Sequence, residues 1–311
     1  MDDATARELI ALNNRFYAEH AASFGATRQA PWPGWEQLVD LLRRQGFGTS
    51  GHMGASAGAP VRVFDLACGN LRFERFLCAA LPAATFELHA VDSCGALADT
   101  SLAGLPTVHF QQRDVLEAVL GNMVESFPRE AGDVDMRGDS AWTQAAEGGQ
   151  GADGMREPAA DGAPSSSSDS LLSAPPCDLT VCFGFMHHVP GTALRRAVLE
   201  ALVGATAPGG VICLSFWQFM DDARLARKAT AADRVAATAP PFPGFDPAAL
   251  DEHDHFLGWQ DDPRPLRYCH HFPEDEVDEL AAAAAGVREI ARYSADGASG
   301  ALNRYLVLQR R

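Results

Sequence analysis

The stretch Val63-Phe-Asp-Leu-Ala-Cys-Gly-Asn70 constrains the fold of this chain more than any other. It reads as a short apolar strand that ends near an acidic residue, Asp65, followed by a turn of small residues and by a helix-like segment from Phe73 to Leu81. Small residues at Ala67 and Gly69 let the backbone approach a ligand closely, and the N-terminus of the next helix supplies free N–H groups. This order is typical of the nucleotide-binding corner of a doubly wound α/β sheet.

A second apolar strand that ends in a carboxylate, Leu88-His-Ala-Val-Asp92, supports this prediction. In sheets of this type, the acid after the second strand lies where the ribose hydroxyls of a nucleoside cofactor bind. We therefore expect Asp92 to accept hydrogen bonds from a ribose.

Length and composition predict one main domain. The chain has 311 residues, of which 47% are hydrophobic, enough for one sizeable core with additions. No apolar stretch is long enough to span a bilayer, and the first residues lack the pattern of a signal peptide. The seven cysteines have no paired spacing, which is typical of buried thiols in a reducing compartment. We expect a cytoplasmic protein with no membrane partner.

The formal net charge of -16 limits the choice of partners. A protein that grips nucleic-acid phosphates usually presents a basic face, because counterion release drives that binding. We expect no DNA partner, and the acidic surface favours a small-molecule partner over RNA.

The apolar periodicity predicts alternating strands and helices, and therefore a mostly parallel sheet. We expect an N-terminal helical cap and linker over residues 1–60 and one main domain over residues 61–311. Helices are predicted at Glu8–Ala22, Trp35–Leu42, Phe73–Leu81 and Ala193–Ala205; strands at Val61–Leu66, Phe86–Val91, Thr107–Gln112, Cys177–Phe183 and Val211–Trp217; a turn at Pro208–Gly210; and a closing antiparallel hairpin at Val287–Tyr293 and Arg304–Gln309.

Residues 121–176 interrupt this alternation. They contain Gly148-Gly-Gln-Gly151 and Ser165-Ser-Ser-Ser168 but few large apolar residues, so burial cannot offset the entropy lost on ordering. We expect a disordered surface insertion within the main domain. The alternative is a regulatory segment that contacts a partner.

The succession of acidic-ended strands, small-residue turn, Gln112-Arg-Asp114 and terminal hairpin resembles the class I S-adenosylmethionine-dependent methyltransferases over about residues 61–309. The resemblance implies a doubly wound, seven-stranded Rossmann-like sheet with S-adenosylmethionine as cofactor. The usual loop has three glycines; Ala67 and Leu71 replace two of them, and leucine leaves open a different backbone angle. The cofactor-binding residues implied by the resemblance are Asp65, Ala67, Gly69, Asn70, Asp92, Asp114 and Phe183.

Three further segments resemble the eukaryotic tRNA wobble-uridine carboxymethyl methyltransferases. They are Phe16-Tyr17 with the Ser23–Pro33 segment, Met186-His187-His188 with Arg195-Arg196, and Arg267-Tyr268-Cys269-His270. This likeness implies a methyltransferase that acts on a carboxylate of a modified wobble uridine in tRNA. It also implies a small activating protein subunit as a partner.

A carboxylate acceptor is already ionised at neutral pH, so the site needs no strong base and must instead desolvate and aim the acceptor. Guanidinium groups hold carboxylates in two-point contacts, which suits Arg28 and Arg267. We predict Arg28, His187 and Arg267 as the catalytic residues. The predicted substrate-binding residues are Arg28, Trp32, His187, His188, Trp217, Tyr268 and His270.

Other interpretations stay open. The acceptor can be a small metabolite, or the chain can be a non-catalytic binding or scaffold subunit, which the altered loop permits. His187 or His188 can simply cap backbone groups, Trp32 can belong to the core, and Arg28 can serve a structural ion pair. The histidines between positions 253 and 271 show no tetrahedral ligand spacing, so no metal site is predicted.

Overall fold

The computed structural model describes residues 1–27, 29–47, 59–98, 105–126 and 174–311. Within this part of the chain, no helix is both long and apolar enough to cross a membrane. The helices are α1 (Asp3–Ala26), α2 (Pro33–Arg44), α3 (Arg72–Ala80), α4 (Val115–Ser126), α5 (Thr192–Ala205), α6 (Ala223–Thr238) and α7 (Glu274–Ala283). The strands are β1 (Val61–Leu66), β2 (Phe86–Asp92), β3 (Thr107–Gln112), β4 (Cys177–Cys182), β5 (Thr206–Trp217), β6 (Asp254–Trp259), β7 (Asp262–His270), β8 (Val287–Ala295) and β9 (Asn303–Arg310).

Seven strands form one sheet in the order β3-β2-β1-β4-β5-β9-β8. The first five run parallel, whereas β9 pairs antiparallel with both β5 and β8. The predicted doubly wound sheet and its closing hairpin are therefore confirmed. The strand order reverses between β1 and β4, and the crevice outside their carboxyl ends is where such sheets bind ligands.

Both faces of the sheet are buried along its central strands, which explains why those strands are nearly continuously apolar. In β5, Ile212 and Leu214 pack in the layer that holds α4, α5 and α7, while Cys213 packs with α2 and α3 on the opposite face. Alternate residues of a strand point to opposite faces, so one apolar run serves two cores.

The predicted turn at Pro208–Gly210 is wrong, because these residues lie inside β5. The pairing of β4 with β5 passes from Cys177–Thr206 to Leu179–Val211, so the extra residues of β5 bulge out of the ladder. Gly209 has φ of +80°, a left-handed angle that suits glycine. The segment is irregular, as its proline and glycines indicate, but it forms a bulge within a strand and not a turn between two elements.

The predicted insertion at 121–176 is smaller than expected at its start. Helix α4 runs on to Ser126, and residues 127–173 of the insertion lie outside the described residues.

A second sheet of two antiparallel strands, β6 and β7, was not predicted. It packs with α1 and α6 in a separate apolar cluster that includes Leu9, Ala232 and Phe256. The side chain of Asn13 fixes α1 to this sheet: its Oδ1 accepts a hydrogen bond from the Tyr268 backbone N–H at 2.8 Å, and its Nδ2 donates to the Tyr268 carbonyl at 3.1 Å. The amide pairs with β7 as another strand would.

A buried polar network joins α5 to the second sheet and α7. The Arg195 guanidinium, 1% exposed, lies 3.3 Å from Asp254, 2.9 Å from Glu276 and 3.2 Å from the Tyr268 hydroxyl. The two ring nitrogens of His270 each lie 2.7 Å from a carboxylate oxygen, one of Asp254 and one of Glu276. Burial alone would raise the pKa of Glu276, but hydrogen bonding with His270 and the charges of His270 and Arg195 lower it below its ordinary value.

Removing the cation at the centre of this network should destabilise the fold. Arg195→Met leaves the buried carboxylate of Asp254 and the half-buried one of Glu276 short of a partner, and breaking a buried ion pair on one side costs about 3–5 kcal/mol. Thermal and urea unfolding of Arg195→Met should show this loss. The neighbouring Arg196 is exposed, so Arg196→Met should leave the unfolding midpoint almost unchanged; equal effects of the two variants would contradict a structural network.

Candidate active site

A cavity of about 590 Å³ opens at the carboxyl ends of β1, β2 and β4. Residues of helix α1 and of the segment before α2 also line this cavity. Of the residues predicted for the site, the structure brings twelve to the wall of this one cavity: Asp65, Ala67, Gly69, Asn70, Asp92, Asp114, Phe183, Trp32, His187, His188, Trp217 and Arg267. Arg28 lies outside the described residues.

The loop after β1 keeps a left-handed backbone at three alternate positions. Ala67, Gly69 and Leu71 have φ of 63°, 57° and 57°. All three angles lie in the left-handed region, which glycine adopts without steric cost. Its side chain, 1% exposed, packs with Cys68 and Ala90, and this apolar contact helps to offset the steric cost of a left-handed leucine.

Asp92 ties this loop to the end of β2. Its Oδ2 accepts a hydrogen bond from the Gly69 N–H at 2.9 Å, and its Oδ1 accepts one from the Cys94 N–H at 2.8 Å. Burial raises the pKa of Asp92, and these two backbone hydrogen bonds oppose the rise. A carboxylate has about four lone-pair sites, so two remain for a ligand.

Two buried carboxyl groups lie beneath the loop. Asp65 is 3% exposed and Glu74, on α3, is 1% exposed. Within the described part of the chain, no N–H or hydroxyl group donates to Oδ1 of Asp65 or to either carboxyl oxygen of Glu74, and the two carboxyl groups interact with each other. Burial raises the pKa of Asp65 well above its ordinary value, and it raises that of Glu74 to about 7. The sequence analysis missed Glu74, although it precedes Leu77 by one helical turn and so shares the buried face of α3.

Asp114 begins α4 by capping its first turn. Its Oδ1 accepts hydrogen bonds from the backbone N–H groups of Leu116 and Glu117 at 3.0 and 3.1 Å, and the Asn14 amide donates to its Oδ2 at 2.5 Å. The predicted contact of Asp114 with an adenine stays a prediction.

Arg267 lies in a cage of aromatic rings at the opposite wall. Its guanidinium carbon is 5.3 Å from the centre of the Phe16 ring, 5.8 Å from that of Trp217 and 6.0 Å from that of Trp259. It donates a hydrogen bond to the Tyr17 hydroxyl at 3.4 Å. The side chain is 7% exposed overall, and no carboxylate among the described residues forms an ion pair with it.

The two predicted histidines differ in their surroundings. The ring of His187 lies 4.8 Å from that of Trp217, centre to centre. His188 has Nδ1 3.1 Å from the Tyr268 carbonyl and Nε2 2.6 Å from the Tyr17 hydroxyl. The Asn13 amide nitrogen, a donor, also lies 3.2 Å from Nδ1, so the partners of this ring allow either neutral tautomer. His188 thus joins α1 to β7.

Tyr268 and His270, predicted to bind the substrate, do not line the cavity. Their side chains are 0% and 1% exposed, and both belong to the buried network around Arg195. The structure corrects the expectation: these side chains support the sheet behind the site. Polar side chains such as tyrosine and histidine occur both in buried networks and in ligand sites. The sequence alone therefore does not distinguish the two roles.

One candidate donor set for a metal lies beside the cavity, where ligand atoms of His187, His188 and Cys269 are within 4.8 Å of one another. A thiolate is the form of cysteine that binds metals. Burial raises the pKa of Cys269 to about 12, and His188 is engaged by Tyr17 and Tyr268. We assign no metal to this set.

Arg72 is a cavity residue that the sequence analysis missed. Its guanidinium lies 4.8 Å from the centre of the Trp35 ring and 5.2 Å from that of Trp32, and it donates to the Ala30 carbonyl at 2.8 Å. Its position directly after the loop and at the start of α3 was the available signal.

No protein-family model matches the sequence, and no curated protein matches it. Several solved structures are similar to this chain. The 1,6-didemethyltoxoflavin-N1-methyltransferase of Burkholderia thailandensis, solved with 1,6-didemethyltoxoflavin and S-adenosylhomocysteine, has a TM-score of 0.50 at 12% identity over 98% of this chain and 90% of its own. A SAM-dependent methyltransferase from Methanosarcina mazei has a TM-score of 0.49 at 13% identity over 81% of this chain and 92% of its own.

At such low identity the likeness concerns the fold alone. Together with the strand order, it identifies a Rossmann-like methyltransferase fold, as predicted from the sequence. The chain therefore has the Rossmann-like methyltransferase fold.

The left-handed backbone at Leu71 predicts an unusual order of stability between two variants. Leu71→Ala and Leu71→Gly both lose the buried side chain, but only glycine removes the steric cost of a positive φ. Leu71→Gly should therefore be more stable than Leu71→Ala by about 1 kcal/mol, measured by urea unfolding. At an ordinary helical or extended position alanine would be the more stable, and that order would contradict the loop geometry.

Proposed function

We propose that this protein is an S-adenosylmethionine-dependent methyltransferase. The cavity lies at the switch point of the sheet, where folds of this type bind nucleotides. Its volume of about 590 Å³ falls within the roughly 300–1,000 Å³ of small-molecule and cofactor sites.

The residues present fit this cofactor. Asp92 keeps free lone pairs for ribose hydroxyls, and Asp65 presents a buried carboxyl group at the cavity wall. At Gly69 nothing lies within 4 Å of the place where a Cβ would stand, so the loop is open on that side. When bound, the cofactor supplies an electrophilic methyl group on a sulfonium. The neighbouring methyltransferase from Burkholderia was solved with the demethylated form of this cofactor.

The single observation that carries the acceptor assignment is the caged guanidinium of Arg267. A buried cation that has no described carboxylate partner is costly unless a ligand supplies the opposite charge. The flat rings of Phe16, Trp217 and Trp259 suit an acceptor with a planar group. We infer that the acceptor is an anion carried on a ring, of which a carboxylate is the simplest case.

A carboxylate needs no base, so the chain's residues act by positioning. Arg267 holds the anion and Trp217 packs beside His187 to keep water from the reacting atoms. His188 holds Tyr17, which in turn orients the guanidinium of Arg267. The predicted part of Arg28 in holding the anion stays a prediction.

Two acceptor sources follow from this chemistry. The first is a carboxymethylated wobble uridine of tRNA, supported by the convergence on one cavity of Tyr17, Trp32, His187 and Arg267 from the three segments that resemble the tRNA enzymes. If tRNA is the acceptor, we also propose a small activating subunit that offsets the acidic charge of this chain. The second is a small metabolite, supported by the net charge of -16.

The non-catalytic alternative rested on the replacement of two loop glycines. Ala67 and Leu71 both have positive φ angles, the region that glycine adopts most readily, and this supports our choice of a catalytic protein.

Replacing the carboxylate of Asp92 by a neutral amide should weaken cofactor binding. Hydrogen bonds to a charged group contribute about 1.5–3 kcal/mol, so Asp92→Asn should raise the Kd for S-adenosylmethionine and S-adenosylhomocysteine by roughly 10-fold or more. Calorimetry measures this directly. Asp40 is exposed on α2, and Asp40→Asn is the matched control; failure of the unaltered protein to bind either compound would overturn the proposed function.

Substitution of Arg267 should separate acceptor binding from cofactor binding. Truncating one partner of a buried charge pair costs about 2–5 kcal/mol, so Arg267→Gln should lower kcat/KM by at least about 30-fold while the cofactor Kd stays within a few-fold. The exposed Arg264 lies on the same strand, and Arg264→Gln should keep full activity.

The assay uses cofactor with a labelled methyl group, and offers tRNA that bears a free wobble carboxymethyl group beside a small-molecule cell extract, with and without co-purified small proteins. Label in tRNA supports the first source and label in the extract supports the second. An acceptor that proves cationic would contradict the role of Arg267.

A further inference from the structure

Two histidines and a glutamate lie together where β2 pairs with β3, and none of the three lines the cavity described above. Glu87 and His89 are alternate residues of β2, so their side chains point to the same face of the sheet. His109 on β3 is the register partner of His89 and shares that face. Each of the three side chains has a ligand atom within 4.8 Å of those of the other two.

The distances within this set suit a shared metal ion better than a pair of hydrogen bonds. Oε1 of Glu87 is 3.2 Å from Nε2 of His89 and 3.7 Å from Nε2 of His109. The second distance is too long for an N–H···O hydrogen bond. Two ligand atoms on a tetrahedral zinc ion are about 3.3 Å apart, because each lies about 2.0–2.2 Å from the metal. Both observed distances are near that value.

The contacts around the set leave Oε1 of Glu87 to the two rings. Arg62, the register partner of Glu87 on β1, lies 3.4 Å from the other carboxyl oxygen, Oε2. The two imidazole rings are 4.8 Å apart, centre to centre, and nearly parallel. The side chain of His109 is 50% exposed, so its ring can turn about the soft χ2 torsion and aim Nε2 at the same point as that of His89.

We propose that Glu87, His89 and His109 bind a divalent cation of the zinc type. Two imidazole nitrogens and one carboxylate oxygen are a set that zinc accepts in proteins, with a water in the fourth position. Imidazole binds metals in its neutral form, which predominates above pH 7. The sequence predicted no metal site, because these ligands come together only when β2 and β3 pair.

A cation held by this set ties the edge strand of the sheet to its neighbour. Among the described strands β3 pairs only with β2, and none of its six residues is buried. Packing alone therefore contributes little to holding this strand, since few apolar contacts mark a segment that opens easily. On the same two strands Asp92 pairs with Gln112, about 10 Å beyond the histidines. The inference is independent of the proposed function.

Calorimetric titration of Zn²⁺ into the full chain tests this inference. The protein carries no affinity tag and is first treated with a chelator that is then removed by dialysis. At about pH 7.5, where imidazole is mostly neutral, we expect saturable binding of one Zn²⁺ per chain at this set. Hydrogen exchange of the backbone amides of residues 107–112 should be slower with zinc than without it.

Matched variants locate the cation. His109→Ala and His89→Ala should each raise the Kd for zinc by at least about tenfold, since even the loss of an outer partner of a ligand costs about 10- to 100-fold. His109 is half exposed, so its substitution leaves the core intact. His253 is also half exposed but lies outside the set, and asparagine tolerates its left-handed backbone. His253→Asn should therefore bind zinc like the unaltered protein.

The outcomes are distinct. Absence of saturable zinc binding would overturn the inference. Binding that survives unchanged in His109→Ala would also overturn it and would direct attention to His187, His188 and Cys269. Exchange in β3 that does not respond to zinc would contradict the tie between the strands. Each of these results leaves the binding of S-adenosylmethionine to be decided by its own titration, so this inference and the proposed function fail separately.

Discussion

The end of the cavity that holds Arg267 depends on one interaction, the pairing of the Asn13 amide with the backbone of Tyr268. These two hydrogen bonds, of 2.8 and 3.1 Å, fix α1 to β7 as if the side chain were another strand. One helical turn later, Tyr17 meets His188, and on β7 the adjacent residue is Arg267. The position of the caged guanidinium follows from this contact.

The cavity has carboxyl groups at one end and a guanidinium group at the other, and both ends are buried. Asp65, Glu74 and Asp92 lie at the carboxyl ends of β1 and β2 or just behind them, while Arg267 lies where α1 meets the second sheet. Charges interact more strongly in a site with little solvent than in water, so under the proposed function Arg267 favours an anionic acceptor. The two ends come from different parts of the fold, so they can change independently.

Local patterns were sufficient for the sheet and for much of the cofactor end. The strands Val61–Leu66 and Thr107–Gln112 begin and end as predicted. The first is a buried, largely apolar run, whereas the second is a partly exposed edge strand in which apolar and polar residues alternate at first. Asp65, Gly69 and Asp92 were found because they follow strands, and the carboxyl ends of adjacent parallel strands meet at one edge. The bulge at Pro208–Gly210 and the second sheet were missed, since both depend on pairing between distant segments.

The sequence by itself determined the fold class, the position of the ligand crevice and the anionic groups that surround it, because these follow from the period of apolar residues and from which residues end the strands. Only the tertiary structure decided which polar residues face the cavity. Tyr268 and His270 turn into the network around Arg195, although Arg267 beside them faces the cavity; Glu74 turns inward to meet Asp65. The physical reason is that a side chain's charge state and partners are set by what packs against it, and those neighbours come from parts of the chain that are far apart in sequence.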